Sequence, residues 1–94
     1  MDIKQAAKIM KALSHPNRLD IYLRIVRGDQ NGFPAEDCCA ASFVACLKIG
    51  APTVSHHLKE LVNAGLIVTE RQGKFVIAKP VLSTWAKVKK LLPK

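Results

Sequence analysis

Acidic side chains are scarce: seven Asp and Glu stand against 15 Lys and Arg in 94 residues, a formal charge of +8 at pH 7. Glycine and proline are few, at five each, while 49% of the residues are apolar, which excludes disordered and collagen-like chains. Unbroken apolar runs span only a few residues, and no basic stretch leads into an apolar one. Neither a membrane span nor a secretory leader is expected. The three cysteines are an odd number without scaffold spacing. That suits a reducing compartment better than a disulfide framework, so the cytoplasm is the expected location. Catalytic constellations are missing too, because there is no glycine-rich phosphate loop and no evident Ser, His and Asp grouping. An enzyme is not expected. What remains is one small domain, residues 1–94, burying roughly two-thirds of the surface its unfolded chain exposes.

The positive charge is unevenly placed. Residues 1–47 hold six basic and five acidic side chains, whereas residues 48–94 hold nine basic ones and only Glu60 and Glu70. A basic half of this kind suits a polyanion, of which nucleic acid is the commonest in a cytoplasm. A solvated lysine face is the plainer alternative.

Hydrophobic spacing divides the chain into helices, a hairpin and a last helix. Ala6, Ala7, Met10 and Leu13 form the stripe of a helix over 3–13. Ser14 is placed to cap a second helix, with Pro16 in its first turn and Leu19, Tyr22, Leu23 and Val26 on its inner face. Gly28 is expected to stop it, and residues 28–34, GDQNGFP, read as a loop. A third helix is expected from about Ala35 to Lys48, with Cys39, Phe43, Cys46 and Leu47 inward. After a short break a fourth begins, with Gly50 as its cap, Pro52 in its first turn, Val54, Leu58, Leu61 and Val62 as its apolar face, and Gly65 as its stop. Two helices so closely joined make a helix-turn-helix. Leu66 to Arg71 and Lys74 to Lys79 read as strands joined by a tight Gln72-Gly73 turn. Pro80 breaks the second strand, and Val81, Leu82, Trp85, Val88, Leu91 and Leu92 recur at helical spacing.

On a helical wheel at about 100° per residue, Val54, Leu58 and Leu61 share a narrow arc with Ser55 and His57 at its edges. Pro52, Thr53, His56, Lys59 and Glu60 face away. Hydroxyls and an ammonium near a helix N-terminus anchor phosphates, and imidazole and hydroxyl groups reach base edges. An ordinary solvated helix surface has the same composition. The reading toward DNA rests on the hairpin that follows, with Arg71 and Lys74 near its tip, and on the basic half in which both lie.

The segments ALSHPNRLDIYLRIV (12–26), PTVSHHLKELVNAGLI (52–67) and ERQGKFVIAKP (70–80) closely resemble the ArsR/SmtB family of winged-helix regulators. The resemblance covers nearly the whole chain. It implies a mainly α fold with a small β-hairpin, a winged helix-turn-helix of four helices, two strands and a fifth helix, dimerised through its terminal helices. The implied function is a homodimeric repressor that binds double-stranded operator DNA and releases it on sensing a metal, metalloid or thiol-reactive signal. Carried over by position, the recognition residues are Pro52, Thr53, Ser55, His56 and Lys59, and the wing residues include Arg71, Gln72 and Lys74. A winged-helix protein-interaction module, or a DNA-binding regulator without a sensor, are the alternatives.

The sensing side departs from the family pattern. Where many members carry Cys-x-Cys, this chain has Cys38-Cys39-Ala40-Ala41, and the last helix lacks the Asp and His of the family's zinc site. Cys39 and Cys46 are separated by about 10 Å of helical rise, too far to share a soft ion whose bonds to sulfur are about 2.3 Å. The vicinal pair Cys38 and Cys39 is the candidate sensor for a soft metal, a metalloid or an oxidant, and no cofactor is otherwise required. Cys46 reads as a packing residue beside Phe43 and Leu47, as free cysteine commonly is. His15 reads as closing a helix start. His57 reads equally as a packing or a DNA-contacting residue, and His56 and His57 diverge too far on a helix to form a metal pair.

Overall fold

The computed structural model describes residues 2–31, 40–73 and 75–91. In order, these form α1 (Ile3–Ala12), α2 (Pro16–Asn31), α3 (Ala40–Leu47), α4 (Ala51–Asn63), the strands β1 (Ile67–Gln72) and β2 (Phe75–Pro80), and α5 (Leu82–Leu91). The element order is the expected one. Asp2 caps α1, its carboxylate accepting from the Gln5 N–H at 2.6 Å.

The cap of α2 is not Ser14, whose hydroxyl instead donates to the Lys11 carbonyl at 2.7 Å and closes α1. His15 takes the role, its Nδ1 accepting from the Asn17 N–H at 3.2 Å and its carbonyl from the Leu19 N–H at 2.9 Å. Nor does Gly28 end α2. The helix runs to Asn31, and Gly28 is buried. A mid-helix glycine costs only about 1 kcal/mol against alanine, which the packing of α2 outweighs. Residues 32–39, and with them most of the expected loop and the start of the expected third helix, lie outside the described residues.

The core is built around α2. Ile21, Tyr22, Ile25 and Val26 are at most 2% exposed, and each large apolar side chain so buried contributes about 1.5–3 kcal/mol. Ile9 and Ala12 of α1, Phe43 of α3, Val54, Leu58 and Leu61 of α4, Ala64 and Leu66 after it, Ile67 of β1, Ala78 of β2 and Val88 of α5 complete one cluster.

Cys46 is exposed, contrary to the packing role read from its spacing. Phe43, Val44 and Leu47 are the residues of α3 that meet the core. Their arc is centred about 110° from Cys46 on the wheel, so the inward face of α3 lies further round than Cys46.

β1 and β2 form an antiparallel hairpin in which Ile67 pairs with Pro80 and Gln72 with Phe75. Gln72 is therefore paired within the ladder rather than placed in the turn, and the turn begins one residue later than expected, at the positive φ of Gly73 (62°). Pro80 ends the strand from within the ladder rather than breaking it. Along β1, Ile67 is buried and Val68 is half exposed, the alternation of a strand with one covered face.

Candidate nucleic-acid interface

Lys48, at a positive φ of 55°, ends α3, and residues 48–50 turn the chain into α4. Gly50 opens α4 from extended backbone and has no side chain with which to cap it. Its carbonyl accepts from the Thr53 and Val54 N–H groups, each at 3.1 Å. The helix thus presents an uncapped, partially positive N-terminus, at which Ala51, Pro52 and Thr53 are all exposed.

At its other end Gly65 (φ 76°) supplies the left-handed residue. The Leu66 N–H donates to the Leu61 carbonyl and the Gly65 N–H to that of Val62, both at 3.0 Å. This is the Schellman arrangement, sealed by two buried leucines. It turns the chain directly into β1, so the hairpin stands beside α4.

Between these ends, Val54, His57, Leu58 and Leu61 point into the core. Pro52, Thr53, Ser55, His56 and Lys59 are all exposed, brought together on the outward side of one helix. The His56 side chain is 62% exposed, with Nε2 4.0 Å from Glu60 Oε1, a surface pair of little energetic weight. Val62, expected on the apolar face, is also exposed.

His57 is a core residue, 3% exposed. Its Nδ1 accepts from Arg18 Nε at 3.4 Å, and a second guanidinium nitrogen of Arg18 donates to the Ala12 carbonyl at 3.3 Å. The His15 ring centroid lies 4.6 Å from that of His57. Burial first, then the neighbouring His15, Arg18 and His56, hold the His57 pKa below the ordinary histidine range. The ring is thus a neutral peg that ties α4 to α1 and α2.

Arg71 on the hairpin is exposed. The backbone of Gln72 closes β1, and Lys74, like Cys38 and Cys39, lies outside the described residues. A crevice of about 300 Å³ separates α4 from the hairpin, with Ser55, Lys59 and Thr69 among its polar lining and Leu58, Val62 and Val76 as its apolar part. Thr69 is a polar residue of this crevice that no motif marks, although strand alternation puts it on the same face of β1 as Ile67.

Chemically this surface offers hydroxyls, an imidazole and an ammonium beside a helix N-terminus, flanked by a basic hairpin. Residues 13–70 match the helix-turn-helix domain family, and the arsenical resistance operon repressor of Staphylococcus xylosus is 33% identical over 73 residues, 78% of this chain and 62% of that protein. The chain belongs to the ArsR/SmtB family.

The family match runs from the end of α1 into β1, taking in the whole helix-turn-helix. The chain spans about 62% of the length of its arsenical-resistance relatives. Among solved structures, an ArsR family transcriptional regulator superposes with a TM-score of 0.75 at 22% identity, covering 97% of this chain and 86% of that one. A homodimeric winged helix-turn-helix DNA-binding domain from Mycobacterium bovis gives 0.71 at 21%, covering 95% and 75%. This ArsR/SmtB chain therefore has the winged helix-turn-helix fold, with α3 and α4 as the helix pair and β1-β2 as the wing. Its Staphylococcus relatives are arsenical resistance operon repressors, and a Mycobacterium tuberculosis relative, 32% identical over 72 residues, is an HTH-type transcriptional repressor. Among the described residues no helix is long and apolar enough to cross a membrane.

Proposed function

We propose that the chain is a sequence-specific DNA-binding repressor that acts as a homodimer, the whole of residues 1–94 forming one winged unit per protomer. The observation that carries this reading is the outward side of α4, where an uncapped N-terminus and five exposed residues stand together. Thr53, Ser55 and His56 read base edges, while Pro52, whose fixed φ suits the first turn, opens the helix beside them. Lys59, with Arg71, Gln72 and Lys74 of the wing, holds flanking phosphates and sets the register. Two-fold symmetry places one α4 in each of two major grooves, about one DNA turn apart. Support for the dimer comes from the homodimeric M. bovis domain and from the exposure of Ile3, Met10 and Leu82 on the terminal helices.

Release belongs to Cys38 and Cys39, which precede the described start of α3. A thiol near a helix N-terminus is more acidic and more reactive than a free one. Capture of a soft metal, a metalloid or an oxidant there favours a packing in which the two α4 helices no longer match successive grooves. A coupling of about 1–3 kcal/mol is enough for derepression. The test is a band shift on the promoter upstream of the chain's own coding sequence, with and without arsenite, cadmium, zinc and a thiol oxidant. Parent protein should bind and be released by at least one of them. The C38S/C39S variant should bind equally well and ignore the inducer; a variant released as readily as the parent would remove the cysteines from the mechanism.

A further inference from the structure

On the side of α4 away from the wing, a second cleft of about 350 Å³ opens between this helix and α1. Lys8 and Lys11 of α1, Arg18 of α2, and Glu60 and Asn63 of α4 contribute to its wall. Three cations therefore face one carboxylate, and that carboxylate lies 4.0 Å from His56 Nε2. Among the described residues no Asp or Glu pairs with Lys8, Lys11 or Arg18.

Arg18 is the informative member. It is half-buried, where an arginine is ordinarily matched by a carboxylate. Its two hydrogen bonds instead go to a neutral imidazole and a backbone carbonyl, both at the long end of the range. Those bonds fix the plane of the guanidinium and leave its remaining N–H groups without a partner among the described residues. A planar, oriented donor with two mobile ammonium groups nearby has the geometry that recognises an oxyanion: a forked contact from arginine, point charges from lysine.

We infer that the cleft between α1 and α4 is a binding site for a phosphate-class oxyanion, held by Arg18, Lys8 and Lys11 with the Asn63 amide at its edge. Because Arg18 also holds His57, an ion seated there bears on the helix that carries the candidate DNA-reading residues. The same chemistry is offered by a free phosphate compound and by a phosphate of the DNA backbone.

The test is a titration of the ¹⁵N-labelled full chain with inorganic phosphate against chloride at equal ionic strength, followed by amide shifts. Saturable shifts are expected at residues 8–12, 18 and 60–64, and K8Q/K11Q, a change of two exposed side chains, should weaken binding by about tenfold or more. Shifts that do not saturate, that follow exposed lysines over the whole surface, or that persist unchanged in K8Q/K11Q overturn the site. Repeating the titration with saturating duplex DNA assigns the source. Loss of the phosphate shifts, with a salt slope for DNA binding that K8Q/K11Q flattens by about two, supports the site with a backbone phosphate as its occupant. Shifts that persist beside bound DNA, with that slope unaltered, support it with a free oxyanion. The phosphate titration stands whether or not the chain reads DNA sequence.

Discussion

At positions 56 and 57 two adjacent histidines take opposite roles. His56 lies on the outward side of α4, while His57 accepts from Arg18 through Nδ1, which places its proton on Nε2, a buried atom without a hydrogen-bond partner among the described residues. Protonating Nδ1 removes that acceptor and puts a charge among Arg18, His15 and His56. With its pKa lowered by burial and by those neighbours, folded His57 binds a proton less readily than the unfolded chain does. Its contribution to stability is therefore complete above the unfolded histidine value of about 6.5 and is lost as pH falls through the folded value. Urea midpoints should fall as pH is lowered below neutrality, and His57→Asn, which keeps an acceptor for Arg18 but does not titrate, should flatten that dependence. An equally steep fall in the variant assigns the titration elsewhere. At this scale the wheel separated His56 from the core but left His57 at its edge, because the partner that draws it inward, Arg18, is 39 residues away in sequence. Cys46 was misplaced for a related reason: a short helix with several small apolar residues has no sharp face until its neighbours choose one.

Among the elements, the end of α4 was the most legible, since Ala64-Gly65-Leu66 states both the left-handed residue and the leucine that seals it. A Cβ at Gly65 would have nothing within 4 Å, so replacement by alanine strains only the backbone. Gly65→Ala should lower stability by about 1–2 kcal/mol, measured by urea denaturation, without changing the fold; no loss at all would mean that the turn is free to adopt another form. The hairpin was legible in kind and off by one residue in its turn. Gly73 serves a turn that starts at Gln72 or one that starts at Gly73 equally well, and the choice is made by the ladder, which sets Ile67 against Pro80 and so pairs Gln72 with Phe75. The end of α2 was not legible. Gly28 and the polar residues after it carry strong turn signals, yet α2 runs on to Asn31, and the burial of Gly28, a tertiary effect, is not written in local sequence. The recognition residues of α4 followed from periodicity, whereas Thr69 and the Arg18 cleft arise where separate elements meet.

For the molecule as a whole, the polar side of α4 and the apolar surface of the terminal helices divide the candidate work. Ile3 is 87% exposed, Met10 62% and Leu82 59%, and Met10 joins Leu13, Leu23 and Trp85 in lining an apolar groove of about 300 Å³ between α1, α2 and α5. Exposed apolar surface of this kind suits an interaction surface, and a second copy is the occupant that the proposed homodimer requires. Sedimentation should give a mass near twice 10.3 kDa, and M10E/L82E should shift it toward the monomer; a parent chain that stays monomeric at micromolar concentration contradicts the assembly. The central claim is that the outward side of α4 reads DNA sequence. It is tested most directly by fluorescence anisotropy on the chain's own promoter and on a scrambled duplex across a range of salt, with parent protein and His56→Ala. The parent should prefer the promoter, and its affinity for both duplexes should fall steeply and log-linearly with salt. His56→Ala should lose about 1–3 kcal/mol on the promoter and much less on the scrambled duplex. Absence of salt-sensitive binding by the parent, or a His56→Ala variant that keeps the full preference for the promoter, would contradict the account.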